Sequence, residues 1–586
     1  MLKAMIFCLV AGLLSVNAQT FSLSGRVLRS GGGYVSGATV KLMGASQLTT
    51  TSDANGYFTL STTAIMPWNG IVSGYSFNVL KNGILLSLSR KVAHGRAEFL
   101  AWNGKVEASL SLNDMESGSH TLGLPRLGPG VYFLRVELDG SSYTHRLLNI
   151  DGNLLDMSRR EEVASTPNAR RALAKSAAIV DTLLAAKTGY EDAKVSVNSQ
   201  GTLQVVMYPL CTIPTMPAVA SLPTNAKMPD PFKMMGGSRI ASKDDWGCRR
   251  AEISKQFQNY ELGFKPPRPR SVTGTLRGDT LNISVTDSGK TLSFNVVIKK
   301  PTTGAGPFPV LIAYGSSSIS DVLPLGVATL NFNNDEMAKN TGGSTTADRG
   351  KGLFYNMFGA GHSAGAMMAW AWAVSRIIDA LETTPGTNLD PMRIAVTGCS
   401  RNGKGALIAG AFDERISLVI PQESGSGGSG NWRVSDYMLN TLKQSTQDLK
   451  EIVGEEPWFG PAFNAFSGKV GQLPFDHHML MGLVAPRGLL VIENDILWLG
   501  PMSSFSSAVA GKRIFDALGV PDAITYSEVG KHNHCSFPTT SQKHWVDSYV
   551  TKFLLGGTGE ASKIENDQSL TFDEARWVDW TTPTLQ

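Results

Sequence analysis

Beyond about residue 211 the chain alternates short apolar runs with segments of helical period, and no other feature restricts the fold as much. The apolar runs are FPVLIAYG, GVATLNF, RIAVTG, ISLVIP, GLLVIEN and AITYSEVG, and AGAMMAWAWAVSRIIDALE supplies the longest helical pattern. Strands that alternate with helices imply parallel βαβ units, with the sheet covered on both faces. The expected class is therefore α/β. In such sheets, sites form at the carboxyl ends of strands, and each chemical candidate below follows one of these runs.

At 586 residues the chain exceeds one ordinary domain, and two to four are expected. A formal charge of +4 is close to neutral for this length and argues against a nucleic-acid binder, which would concentrate Lys and Arg on one face. Residues 1–18 have Lys3 at the start, an apolar run from Ala4 to Val16 and the small-residue ending Val16-Asn17-Ala18, the form of a secretory signal. That run is too short to span a bilayer, so the protein is expected to be secreted with no membrane span. Residues 19–66 read as short strands and turns, with Asn55-Gly56 as the strongest turn signal. The pattern SGRV…VSGATVKL…TSDANGYFTL resembles the carboxypeptidase-regulatory-like domain, a small β-sandwich. A second β-rich module is expected over 67–150. A connector follows over 151–209, with a helix from Arg159 to Ala186 and a last β-like run, TLQVVMYPL. The α/β domain takes 210–586.

Two serines compete as nucleophile. Ser363, in Gly361-His362-Ser363-Ala364-Gly365, matches G-x-S-x-G literally, whereas Ser400, in G-C-S-R-N-G, misses it by one position. A nucleophile elbow, however, needs a strand that delivers the serine into a tight turn and a helix that begins at once, so that N–H groups face a developing oxyanion. Arg393 to Thr397 is such a strand run, and Gly405 to Ala411 reads as the helix. YNMFGAGH, before Ser363, shows no strand run. Ser400 is the choice, and Ser363 reads as a helix-start residue.

Around Ser400 the resemblance becomes specific. GCSRNGKGA is similar to the signature of the glucuronoyl esterases, carbohydrate esterases that act on glucuronic acid esters of plant xylan. DWGCRRAEI, YELGFKPPRP, PQESGSGG, IVGEEPWF, LPFDHHML, LVAPRGLLVIEN, WLGP and KHNHCSFP resemble that family too, in order, across roughly 211 to 555. The resemblance implies an α/β-hydrolase three-layer sandwich preceded by small all-β domains, with no metal or organic cofactor. It also implies the substrate class: glucuronoxylan and its lignin-carbohydrate esters. A monomer is expected.

The elbow order Ser, acid, His leaves His477, His478, His532, His534 and His544 as possible bases. The resemblance selects His534; His532 reads as a loop histidine, and the adjacent His477 and His478 as structural. Two carboxylates follow strand runs, Glu423 after ISLVIP and Asp495 after GLLVIEN. The family pattern favours Glu423, with Asp495 as a second acid or substitute. It gives Arg401 to the oxyanion, and it gives Lys404, Gln447, Glu455 and Trp498 to the sugar, while Trp458 reads as core. Loss of residues 1–18 would remove Cys8 and leave four cysteines with three possible pairings, none at zinc-ligand spacing. The resemblance implies Cys399–Cys535 and Cys211–Cys248. Two other functions stay distinguishable by assay: an acetyl-xylan esterase, and a non-catalytic plant-wall binding protein.

Overall fold

The computed structural model describes residues 22–586 apart from 31–32, 44–47, 62–74, 81–82, 89–90, 102–105, 124–129, 139–140, 151–152, 157–180, 198–200, 316–317, 320 and 341–345. The expected signal segment, with Cys8, lies outside the described residues. Two compact units emerge, one within residues 61–178 and one formed by 22–60 together with 179–586.

The described residues of the first unit form two β-sheets. Tyr75–Leu80, Gly83–Leu88 and Gly118–Gly123 form one sheet, and Asn153–Asp156, Ser141–Ile150, Gly130–Leu138, Gly95–Ala101 and Val106–Ser111 form another. Its core gathers Leu86, Phe99, Leu112, Leu134 and Val136.

In the second unit, the early strands are completed by residues far along the chain. Ser22–Arg29 pairs in parallel with Gly201–Met207 and lies beside Tyr57–Ser61. Thr39–Leu42 pairs with Asp181–Ala186, which in turn pairs with Ala193–Val197. Residues expected in a connector thus supply three strands of a small sandwich. The described end of the helix expected over Arg159–Ala186 is a strand, because Leu183 and Ala185 are buried while Thr182, Leu184 and Ala186 are not, a period of two. Pairing with Thr39–Leu42 overrides the helical preference of this Ala-rich stretch.

The rest of the unit is built on ten strands, numbered here from the start of that sheet: β1 (Ser271–Arg277), β2 (Thr280–Asp287), β3 (Lys290–Lys299), β4 (Phe308–Tyr314), β5 (Ala328–Phe332), β6 (Leu389–Cys399), β7 (Ile416–Gln422), β8 (Gly488–Glu493), β9 (Ile524–Glu528) and β10 (Ile564–Asn566). Their order is β1-β2-β3-β5-β4-β6-β7-β8-β9-β10. The first three run antiparallel and meet β5 antiparallel; from β5 onward every pairing is parallel. Side chains alternate between two cores. Val310, Ile312, Leu489 and Val491 face one, which takes in helices α1 (Lys243–Phe257), α2 (Ala366–Thr383), α3 (Arg401–Phe412) and α4 (Pro501–Ala517). Leu311, Leu490 and Ile492 face the other, closed by Trp545, Val546, Tyr549 and Val550 of α5 (Lys543–Phe553). Helix, sheet and helix make the three-layer α/β-hydrolase sandwich that the sequence implies. Among the described residues no helix is long and apolar enough to cross a membrane.

The small sandwich sits at the amino ends of these strands. Ser30 donates to Glu414 at 2.9 Å, Arg250 donates to the same carboxylate at 2.6 Å, and the Gln204 side chain donates to the Pro391 carbonyl at 2.9 Å. All five residues are buried or nearly so, where a lost partner costs about 1–3 kcal/mol.

Candidate active site

β6 ends at Cys399 and α3 begins at Arg401, so Ser400 alone makes the turn. Its backbone sits at φ 61°, ψ −128°, a conformation costly for a residue with a Cβ and typical of an elbow held by its surroundings. Two glycines make the turn possible. A Cβ on Gly398 would stand 2.5 Å from the Asn402 carbonyl oxygen, and one on Gly403 would stand 2.6 Å from that of Gln422. The Ser400 amide donates to Gln422 O at 3.0 Å, which fixes the elbow to the end of β7. Ser363, by contrast, accepts the Phe264 amide at 3.2 Å just before α2, with no strand behind it.

Glu423 is the first residue past β7. Its positive φ of 44° turns the chain sharply, and its amide donates to Ile492 O at 2.6 Å. The fully buried carboxylate accepts from His534 Nδ1 at 2.7 Å and from the Cys535 amide at 2.8 Å through Oε2, and from Gln422 Nε2 at 3.0 Å through Oε1. Burial alone would raise its pKa; the hydrogen bonds from His534 and the Cys535 amide outweigh that and hold it below the usual glutamate value. Glu423 is thus anionic at neutral pH. The bond to Nδ1 fixes the tautomer, with the proton on Nδ1 and the lone pair on Nε2.

His534 is brought to the elbow covalently. A disulfide joins Cys399 to Cys535, with Cα atoms 5.7 Å apart, and a second joins Cys211 to Cys248. A ring nitrogen of His534 and the sulfurs of Cys399 and Cys535 lie within 4.8 Å of one another, so the imidazole is held close to the disulfide, whose Cys399 directly precedes Ser400. Both sulfurs are spent in that bond.

Asp495 follows the neighbouring strand β8 and meets a different part of the histidine loop. It accepts the Lys531 amide at 3.3 Å, and its own amide donates to Asn494 Oδ1 at 2.7 Å, so Glu423 and not Asp495 reaches the imidazole. His532 braces its own loop, with Nε2 2.8 Å from Val529 O, and Asn494 donates to His532 O at 3.2 Å. His477 and His478 are fully buried, bound to Glu261 at 2.9 Å and to Pro229 O at 2.9 Å respectively.

Arg401 opens α3, whose first N–H groups have no partner within the helix and point at the elbow. Its guanidinium is 3.6 Å from Asp335. Lys404, one turn on, is buried; its ammonium donates to Ser424 O and lies 5.2 Å above the Trp458 ring. Burial lowers its pKa to about 8 against the pull of Glu493, and burial raises Glu493 to about 7. Trp498 is 39% exposed, with its ring 4.9 Å from that of His534, edge to face. The Gln447 backbone N–H donates to Trp498 O at 3.1 Å, which joins those two expected sugar contacts. Glu455 is exposed at the end of the short helix Leu449–Glu455. Trp458 is buried, as expected of a core residue, and its Nε1 donates to Asn340 at 3.1 Å. Sequence reasoning missed Gln422, Asn494, Glu493 and Asp335. For the first three the only available signal was their place at a strand's carboxyl end.

Residues 283–519 match a family model described as glucuronyl esterase, fungi. Over 374 residues the chain is 48% identical to a 4-O-methyl-glucuronoyl methylesterase of Hypocrea jecorina, across 64% of this chain and 79% of that protein. A Neurospora crassa protein of the same name is 47% identical over 361 residues, across 61% and 90%. Among solved structures, the glucuronoyl esterase catalytic domain of Hypocrea jecorina aligns at TM-score 0.60 and 48% identity, covering 63% of this chain and 100% of that one. A serine-to-alanine variant of the Sporotrichum thermophile glucuronoyl esterase, in complex with methyl 4-O-methyl-β-D-glucopyranuronate, aligns at TM-score 0.60 and 43% identity, covering 64% and 100%.

Proposed function

Because the chain belongs to the glucuronoyl esterase family, and is thereby a carboxylic ester hydrolase, we propose that it cleaves alkyl and aryl-alkyl (lignin-alcohol) esters of 4-O-methyl-D-glucuronic acid in glucuronoxylan. Ser400 attacks the ester carbonyl at C6, and His534 Nε2 takes its proton. Glu423 stabilises the imidazolium that forms. The tetrahedral oxyanion is met by the N–H groups that open α3 and by the positive charge of Arg401. His534 then returns the proton to the departing alkoxide. Water, activated by the same imidazole, releases the glucuronoyl group from Ser400. Lys404, Gln447 and Glu455 bind sugar hydroxyls, and the exposed face of Trp498 meets the pyranose ring.

The observation that carries this reading is the 2.7 Å contact of Glu423 with His534 Nδ1, tied to the elbow by the Cys399–Cys535 disulfide. On the same reading the protein is secreted through residues 1–18 and acts as a monomer. Its N-terminal β modules, including the carboxypeptidase-regulatory-like pattern of 19–66, serve as spacers before the catalytic domain at 210–586. The test compares methyl 4-O-methyl-glucuronate with acetylated xylan, for the wild type and for Ser400→Ala. Turnover of the uronate ester alone, lost at least 10³-fold in the variant, is expected. Preferential deacetylation, or a variant that still hydrolyses, would overturn it.

A further inference from the structure

Away from the elbow, a cleft of about 1310 Å³ opens between the outward face of the sheet containing Ser22–Arg29 and the amino ends of the catalytic strands. Leu23, Gly25 and Val27 of that strand point inward, which leaves Ser24 and Arg26 on the cleft side; Tyr57, Thr59 and Thr202 line it from neighbouring strands. Arg26 is stacked between two aromatic rings, its Cζ 4.1 Å from the centroid of Tyr34 and 4.0 Å from that of Tyr57. Nε donates to Asn55 O at 3.2 Å. Among the described residues, Nη1 and Nη2 have no partner, so the outer edge of the guanidinium presents two parallel N–H donors. Tyr34 and Tyr57 are 39% and 48% exposed.

Three properties coincide here. A guanidinium fixed by stacking has lost most of the rotamer freedom that binding a carboxylate would otherwise cost, and its free edge matches a carboxylate bidentately. Half-exposed tyrosines offer flat apolar faces with a hydroxyl at the tip, suited to the C–H face of a sugar. Ser and Thr hydroxyls around them can donate and accept, as polyhydroxylated ligands require. Of the other cations at the cleft, Arg393 pairs with Asp390 at 2.6 Å and Arg29 with Asp244, while Arg487 donates to the Asp413, Ile416 and Leu483 carbonyls and Lys552 to Asp522 O at 2.9 Å. Arg26 differs from them in being held by two aromatic rings with its outer edge free.

We propose that Arg26, Tyr34 and Tyr57 form a second binding site, for a polysaccharide that carries uronic acid carboxylates. The cleft exceeds the roughly 300–1,000 Å³ of a small-molecule pocket, which fits a chain rather than a single sugar. Its floor is the amino ends of β6 and β7, whereas Ser400 and Glu423 lie at their carboxyl ends, roughly 20–30 Å away at about 3.3 Å per strand residue. The site holds the polymer without occupying the catalytic centre. Only the choice of xylan as probe rests on the function proposed above.

The test is affinity electrophoresis of the full chain in gels that contain glucuronoxylan, or the same polymer with its carboxyl groups reduced to alcohols. Glucuronoxylan should retard the wild type. Arg26→Ala and Tyr57→Ala should each weaken that retardation at least tenfold, Tyr57→Phe should retain it, and the reduced polymer should retard poorly. Turnover of methyl 4-O-methyl-glucuronate should stay within twofold in every variant. Retardation of Arg26→Ala equal to wild type, or equal retardation by the two polymers, would overturn the site. So would loss of small-ester turnover in the variants, since the two sites would then not be separate. If the wild type binds the polymer but turns over no ester, the reaction proposed above fails while this site stands.

Discussion

Glu423→Gln keeps the shape of the side chain and removes its charge, which isolates what the carboxylate does for His534. An amide with its NH₂ at the position of Oε2 would set a donor against three donors, His534 Nδ1 at 2.7 Å, the Cys535 amide at 2.8 Å and Asn494 Nδ2 at 3.4 Å. The NH₂ must instead occupy the position of Oε1, facing Gln422. Gln422 can flip its own amide to accept, because its other partner is the Ser318 hydroxyl, which accepts as readily as it donates. Tautomer and ring orientation therefore survive, and only the attraction for the imidazolium is lost. At about 4 Å and an effective dielectric of about 20 that attraction is about 4 kcal/mol; a charged hydrogen bond exceeds a neutral one by only about 1–1.5 kcal/mol. A barrier raised by roughly 1–4 kcal/mol lowers kcat about 5- to 10³-fold. KM should hardly move, because Glu423 is 0% exposed and touches no sugar. The assay is steady-state hydrolysis of benzyl glucuronate at pH 7, with a melting curve to confirm folding and Asp495→Asn measured beside it. Asp495→Asn should stay within about fivefold of wild type, since its role is one hydrogen bond to a loop amide. A Glu423→Gln enzyme within fivefold of wild type refutes the argument, and a large loss in Asp495→Asn instead would hand the role to Asp495.

The disulfide between Cys399 and Cys535 closes a loop of sequence separation 136, which the chain-entropy relation puts at roughly 5 kcal/mol at most; Cys399→Ser/Cys535→Ser should lose about 3–5 kcal/mol in denaturant unfolding and lower kcat more than KM. Lys404 is depressed to about 8 when folded against 10.5 unfolded, so its burial destabilises the protein while both states are charged. That penalty is full below pH 8 and fades as pH rises toward 10.5, and Lys404→Met should gain up to about 3 kcal/mol at pH 7, less what Glu493 loses with the cation gone. The same substitution should raise KM and abolish a rise in KM that wild type shows above pH 8; thermal melts and a pH series of KM check both. Gly403→Ala sets a Cβ 2.6 Å from Gln422 O and should cost more than about 3 kcal/mol or prevent folding, read as soluble yield and melting temperature.

The elbow was legible because its requirement is local: Arg393 to Thr397 read as a strand, and Ser363, the better pattern match, had none before it. The alternation of apolar runs likewise gave the parallel core. Long-range pairing was not legible. Nothing in DTLLAA announces that it will pair with Thr39–Leu42, and nothing in residues 201–207 announces a parallel partner at 23–29. Asn494 and Glu493 were hidden for a related reason: they end the run GLLVIEN, where a polar residue reads as the strand's exit rather than as a buried partner. The burial of Lys404 depends on Ser424 and Trp458, 20 and 54 residues further along the chain, and on how α3 packs.

The choice between the two carboxylates follows from how adjacent strand ends share one loop. β7 and β8 are neighbours, so Glu423 and Asp495 emerge side by side, and both face the loop of residues 529–535. Past β8 the chain continues through Asn494 and Asp495, which take hold of that loop's first half, His532 O and the Lys531 amide. Past β7 the positive φ of Glu423 turns the chain back at once and leaves its side chain to meet the second half, His534 and the Cys535 amide. The disulfide draws that second half down onto the elbow. Each acid therefore holds the part of the loop that its own strand end can reach, and the base lies within reach of only one. Moving the acid from β7 to β8 would require the histidine to sit about two residues earlier, near His532, whose Nε2 donates to Val529 O at 2.8 Å and whose Nδ1 accepts from Asn494 at 3.2 Å.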